Sequence, residues 1–365
     1  MIYFANPKSE YIFLKKEIDI KIKKVLNSNR YILGNEVRIF ERNFSKYLSV
    51  KYSVGVSSGT DALIIALKTL NIKPGDEIIT TSHTAYATIA AIVEVGGIPK
   101  FIDIKETDFT MDVSKISKLI NKKTKAIIAV HIYGNPVDIV DLVTISKKYK
   151  IFLIEDCSQA HGAKYKNKNV GTFGDISCFS LYPTKNLGGF GDGGIIATND
   201  KSLYDKIKLL REYGWSKKNR GVIHGTNNRL DEIQAGILNI KIKFLNKFNK
   251  KREIIAEKYL KQIKSKYLLL PKFSEHKKSV YHLFVVRINK SYRTKFINYL
   301  KANNIICGIH YPIPNHKQKP YIKFRSKLAI TEKISKEIVS IPIYPLLKDN
   351  EVKKIIKTIN SFKLI

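Results

Sequence analysis

The chain has 365 residues, 44% hydrophobic and 26% charged, which suits a globular protein with one large domain, a smaller one and ample core. Lys and Arg number 65 against 31 Asp and Glu, giving a net charge of +34 and an isoelectric point near 9.8. The positive residues are mostly lysines spread along the chain among many Ile and Asn, which reads as compositional bias rather than the basic patch of a nucleic-acid binder, although the excess favours an anionic substrate. The three cysteines, Cys157, Cys178 and Cys307, are odd in number and fit no close metal-ligand spacing, so reduced thiols, a cytoplasmic location and no metal are expected. No basic-then-apolar leader opens the sequence, and no apolar run reaches spanning length, so no membrane association is expected.

Apolar spacing predicts helices over 8–27 and 36–48, separated by a turn-like stretch. The strand YSVGV (52–56) then runs into SSGTDALIIALKTL, where Gly59 and Thr60 precede an apolar helix. Small residues at such a turn leave backbone N–H groups free for an anion, so this is a phosphate-cradle candidate; helix capping by Ser58 or Thr60 explains the same residues equally well. Strands follow at EIITT (77–81), IPKFIDI (98–104), KAIIAVHIYG (125–134) and IFLIEDCSQAHGA (151–163), separated by helical segments. This alternation predicts an α/β fold with a mainly parallel sheet covered on both faces and ligands at the strand C-terminal ends. The segment 228–263 reads as long, bent helical structure, with Ile233, Ile237, Ile240 and Phe244 on one face, leading to a smaller C-terminal domain. The boundary is placed between 245 and 246, giving a large domain over 1–245 and a small one over 246–365.

One stretch organises the rest. In FSLYPTKNLGGFGDGG (179–194), Lys185 follows Ser180, Pro183 and Thr184 and precedes five glycines, so its amine sits on a tight turn. An amine attacks a carbonyl only when deprotonated, which requires desolvation or cationic neighbours. Asp156 ends a buried strand, where a carboxylate keeps a pyridine nitrogen protonated, as pyridoxal phosphate requires. Lys185, Asp156 and the cradle at Gly59 and Thr60, with a hydroxyl from Ser180, form a minimum set for that cofactor. Gln159 lies close enough to Asp156 to touch the cofactor ring, with capping as its alternative.

The motifs SSGTDAL, EDCSQAHGA, VGTFGDISCFSLYPTKNLGGFGDGG and GTNNRLDEIQA, in that order, resemble those of the DegT/DnrJ/EryC1/StrS sugar aminotransferases, pyridoxal-phosphate enzymes with the type I (aspartate aminotransferase) fold. The resemblance implies Lys185 as the Schiff-base lysine and proton shuttle, Asp156 on the ring nitrogen, Gln159 at the ring oxygen, and Gly59, Thr60 and Ser180 on the phosphate. It implies that Asn227 and Arg229 reach the cofactor of a neighbouring subunit, making a homodimer with shared sites. The family's aromatic that stacks on the ring is replaced by Ala85 in TSHTAYAT, so His83 or Tyr86 is expected to stack instead. Asp192 stands where many members carry glutamate.

HYPIPNHKQ (310–318) resembles the segment that folds over a nucleotide sugar, which makes His310, Tyr311, His316 and Gln318 substrate candidates together with Tyr344 of IPIYPLL. Tyr311 and Tyr344 could equally be core aromatics. The wording of these motifs is closest to members that aminate C3 of a dTDP-3-keto-6-deoxyhexose with L-glutamate as donor, which would serve surface polysaccharide such as O-antigen. The alternatives are amination at C4 of a UDP-, dTDP- or GDP-4-keto sugar, a non-catalytic regulator, and a nucleic-acid-binding protein. A dehydratase of the same fold would replace Lys185, commonly by histidine.

Overall fold

A computed structural model describes residues 1–364 of the chain. Seven strands form the central sheet: β1 (Tyr52–Val56), β2 (Glu77–Thr81), β3 (Ile98–Ile102), β4 (Thr124–Val130), β5 (Phe152–Asp156), β6 (Ile176–Ser180) and β7 (Gly194–Thr198). Their order is β1-β7-β6-β5-β4-β2-β3, and β7 alone runs against the others. This mainly parallel mixed sheet is the α/β architecture expected from the alternation of strands and helices.

Neighbouring strand residues point to opposite faces, and here both faces are buried, which is why these strands read as apolar runs rather than alternating ones. Ile78, Ile128, Ile154 and Ile196 pack into one layer with helices α4 (Gly59–Thr69), α5 (Tyr86–Glu94) and α7 (Lys201–Arg211). Their chain neighbours Ile79, Ile127, Leu153 and Ile195 pack into the other, against α3 (Asn35–Leu48), α6 (Ile139–Tyr149) and α8 (Glu232–Lys241).

The first helical stretch breaks at Leu14 into α1 (Pro7–Phe13) and α2 (Lys15–Leu26), because Leu14 leaves helical geometry to bury itself against Ile237, Ile240 and Phe248. Ile233, Ile237, Ile240 and Phe244 form the other side of that cluster. The long helical stretch bends through a tight turn at Ile242–Phe244 into α9 (Leu245–Gln262).

The C-terminal body carries a three-stranded antiparallel sheet, β8 (Leu268–Leu269), β9 (Phe284–Ile288) and β10 (Ile338–Ile341), with β9 central. Its core joins Tyr259, Phe296, Leu300 and Ile355 from α9, α10 (Arg293–Ala302) and α12 (Asp349–Asn360); α11 (Ala329–Glu337) lies before β10. Ile2 enters this core, exchanging backbone hydrogen bonds of 2.8 Å with Asn304 and Ile306. The first residues therefore pack with the C-terminal body, although sequence order placed them in 1–245. Among the described residues no helix is long and apolar enough to cross a membrane.

Candidate active site

All the parallel strands end at one edge of the sheet, and a cleft of about 410 Å³ opens there. Four segments that follow strand ends supply its walls: Gly59 and Thr60 after β1, Thr84 and Ala85 after β2, His131 after β4, and Ser158 and Gln159 after β5. Ser180 and Lys185, at and after β6, complete it, and Asp156 ends β5 inside it.

Ser58 caps α4, its hydroxyl accepting from the Asp61 N–H at 3.0 Å. The two readings of this turn are therefore compatible. Capping fixes the helix start, and the first N–H groups beyond the cap have no partner within the helix. Gly59 and Thr60 line the cleft at that point, where the helix dipole favours an anion. A Cβ on Gly59 would stand 2.6 Å from the Ser180 Cβ and 3.0 Å from its Cα, so only glycine lets α4 approach β6 this closely.

The lysine turn is closed by the backbone: the Lys185 N–H donates to the Tyr182 carbonyl at 2.9 Å, and the Gly189 N–H donates to that of Leu181 at 2.8 Å. A Cβ on Gly188 would lie 2.5 Å from the Tyr182 oxygen, which accounts for one glycine of the run. Desolvation in the cleft pulls the Lys185 amine down to about 8, opposed by the Asp156 carboxylate. Desolvation is thus the activating influence. The nearby imidazoles are not cationic, since burial, aided by the lysine's charge, holds His161 down to about 3 and His282 well below the usual histidine range.

Asp156 is 4% exposed. Its Oδ2 accepts from the Thr88 hydroxyl at 2.9 Å and its Oδ1 from the Ser158 N–H at 3.1 Å. Thr84 lies 2.9 Å from the Thr88 hydroxyl. A carboxylate cannot donate, so Thr88 donates to Asp156, and the proton between the threonines comes from Thr84. Gln159 is held at both ends: its Oε1 accepts from the Tyr133 N–H at 2.6 Å, and its Nε2 donates to the Tyr311 hydroxyl at 2.9 Å.

Other expected residues lie elsewhere. His83 is buried against Tyr133 rather than on the cleft wall, and Tyr86 is 46% exposed and packs on Tyr321. The apolar walls come instead from Leu63, Ala85, Ala87 and Val130. His316 is fixed to Ser82 at 2.7 Å and to Glu332 at 3.1 Å, which makes it a clamp on the C-terminal segment rather than a cleft residue. Gln318 bonds back to the Ile313 carbonyl at 3.3 Å. Tyr344 belongs to the C-terminal core. His310 is half-buried, with its ring 2.9 Å from the Ser340 hydroxyl. Asn227 is exposed, and Arg229 pairs with Glu212 at 3.4 Å, both outside this chain's cleft. Asp192 is exposed.

Thr84, Thr88, His131 and Tyr133 escaped the sequence reading. Thr88 stands in the first turn of α5 and Thr84 just before its cap at Ala85, so the entry into the helix brings the two hydroxyls together. His131, Glu155 and Cys157 offer ligand atoms within 4.8 Å of one another, and those of His131 and Glu155 are already engaged. Glu155 accepts from His131 Nε2 at 3.1 Å and from the N–H groups of Gly171, Phe173 and Gly174, while His131 Nδ1 accepts from the Val137 N–H at 3.2 Å. These bonds to Glu155 anchor the 171–174 loop.

A buried carboxylate with cleft access, a depressed lysine and a glycine-built anion cradle at the end of a parallel sheet define a pyridoxal-phosphate enzyme of the type I fold. The chain belongs to the DegT/DnrJ/EryC1/StrS aminotransferase family, whose model matches residues 13–360, and it is a pyridoxal-phosphate-dependent aminotransferase. It is 43% identical over 363 residues to a dTDP-3-amino-3,6-dideoxy-alpha-D-galactopyranose transaminase of Aneurinibacillus thermoaerophilus, covering 99% of each chain. Among solved structures it resembles S. venezuelae DesV in complex with a ketimine intermediate, with 36% identity, a TM-score of 0.96 and coverage of 98% and 97% of the two chains. It also resembles NtdA from Bacillus subtilis with bound cofactor PMP, with 31% identity, a TM-score of 0.88 and coverage of 94% and 80%.

Proposed function

We propose that this enzyme transfers the amino group of L-glutamate to C3 of a dTDP-linked 3-keto-6-deoxyhexose. The observation that carries this is the 43% identity, over essentially the full length of both chains, to a transaminase named for a dTDP-3-amino-3,6-dideoxyhexose. The cleft residues are compatible with that chemistry.

Pyridoxal phosphate, when bound, supplies an electron sink that makes the bond to an amine-bearing carbon acidic. The chain's own residues do the rest. Asp156, held from two sides by Thr88 and Ser158, would keep a proton on the ring nitrogen. Gly59, Thr60 and Ser180, which line the cleft at the start of α4, would hold the phosphate, and Gln159 would face the ring. Lys185, with its amine near 8, can take a proton from one carbon and return it to another at neutral pH. Leu63, Ala85 and Ala87 exclude water beside the ring. Tyr311 and His310 form the rim over which the larger, sugar-bearing substrate must pass.

We further infer a homodimer in which Asn227 and Arg229 serve the partner's cleft, because neither reaches the cleft of its own chain. A cytoplasmic location fits the buried free thiols of Cys157 and Cys178. Surface polysaccharide such as O-antigen is the destination we favour for the amino sugar.

The test is spectroscopic. Enzyme loaded with pyridoxamine phosphate and mixed with the 3-keto sugar should regain the absorbance of the pyridoxal form, and the 4-keto sugar should not restore it. Recovery with the 4-keto sugar alone would overturn the substrate while keeping the chemistry, and silence with both would favour a regulator.

A further inference from the structure

Tyr133 takes no part in the chemistry described above, yet it is bonded through every polar group it has. Its N–H donates to Gln159 Oε1 at 2.6 Å, its carbonyl accepts from the Leu283 N–H at 3.3 Å, and its hydroxyl donates to the His310 carbonyl. That hydroxyl also meets His83 Nε2 at 2.6 Å. The His310 carbonyl can only accept, so the phenolic proton goes there and His83 Nε2–H must donate to the phenol oxygen. His83 Nδ1 is then bare, and it is buried with no partner. The residue is 5% exposed, and its backbone sits in the left-handed region, at φ 60° and ψ 9°. A buried tyrosine rarely adopts that conformation, and such strain persists where surrounding bonds over-determine it.

The bonds close a ring. Tyr133 holds Gln159 through its backbone and His310 through its side chain, Gln159 holds the Tyr311 hydroxyl at 2.9 Å, and His310 and Tyr311 are consecutive. The cleft residue Gln159 and the His310–Tyr311 segment are thus locked together through one residue that does not itself line the cleft. We propose that Tyr133 is a positioning residue that sets the His310–Tyr311 rim over the cleft, and so governs capture of the nucleotide-sugar substrate rather than of the amino donor. The inference rests on the function proposed above. The physical basis is size: glutamate needs only the space beside Lys185, whereas a nucleotide sugar extends outward past the rim.

The test uses the full-length, cofactor-loaded enzyme carrying Tyr133→Phe, which removes one hydroxyl and keeps the ring and backbone. The two half-reactions are followed separately through the cofactor's absorbance. The half-saturating concentration of the keto sugar should rise about tenfold with little change in limiting rate, the size expected for losing the bond that holds the His310 carbonyl, while the glutamate half-reaction stays within about twofold. Amide hydrogen exchange should quicken over 308–314 and stay unchanged over 180–190. Equal slowing of both half-reactions, or unchanged exchange at the rim, would overturn the proposal. If Tyr133→Phe does not fold, His83→Leu removes the other bond to the phenol and should move the same readouts in the same direction. If the wild-type enzyme ignores the 3-keto sugar, the substrate reading fails on its own, and the exchange measurement still decides whether Tyr133 sets the rim.

Discussion

The floor of the cleft and its rim are assembled by different means. Gly59, Asp156, Ser180 and Lys185 sit at or just beyond the ends of β1, β5 and β6 of one sheet, so the sheet itself brings them together. Tyr311 lies 152 residues from the Gln159 it bonds, and its segment is held in place by side-chain hydrogen bonds to Tyr133, Gln159 and, further along, Ser82. A floor made of backbone geometry tolerates no added atom, whereas a rim made of individual bonds should lose function gradually.

The sharpest way to break the floor is Lys185→Ala, which should slow both half-reactions by about 10⁴-fold, the upper range for a general acid–base. Mixed with an Arg229→Ala protein, this inactive variant should regain about a quarter of wild-type activity if two-fold dimers exchange chains. No recovery after confirmed exchange would mean that Arg229 serves its own chain. Next in size is Gly59→Ala. Its Cβ would meet Ser180 at 2.6 Å, and one of the close atoms is backbone, so relaxation is limited. Overpacking of about 1–3 kcal/mol should weaken cofactor binding roughly ten- to a hundredfold, readable by titration.

The buried amine makes a prediction with a definite sign. Lys185 stands near 8 in the folded chain against its ordinary 10.5, so the unfolded chain binds more protons between those values. The penalty for burying it is full below pH 8 and gone above about 10.5. Cofactor-free Lys185→Met should therefore be more stable than wild type at pH 7, with the advantage fading between pH 8 and about 10.5 in denaturant melts. A constant advantage across that range would mean the amine is not depressed. The smallest effects belong to residues the structure moves out of the site. His316→Ala should cost about 1–3 kcal/mol of stability, because Ser82 loses a buried partner, without changing sugar affinity. Tyr344→Phe should cost under about 1 kcal/mol and leave both half-reactions alone. A rise in the half-saturating sugar concentration for either variant would return it to the rim.

The sequence by itself determined five of the seven central strands, the helical layers and the gathering of Gly59, Asp156, Ser180 and Lys185 at the strand ends. Strands buried on both faces must be apolar throughout, close backbone approaches demand glycine at fixed points, and a parallel sheet gathers its strand ends on one edge. Only the tertiary structure decided the rest. His316, Tyr344 and Tyr311 are all polar or aromatic residues in turn-rich sequence, and nothing local separates a clamp, a core residue and a rim residue. The same holds for Thr88 and Tyr133, whose importance comes from partners 68 and 177 positions away. Hydrogen bonds at that separation depend on how elements far apart in the chain pack together. That packing is fixed by surfaces drawn from the whole chain rather than by any stretch of it.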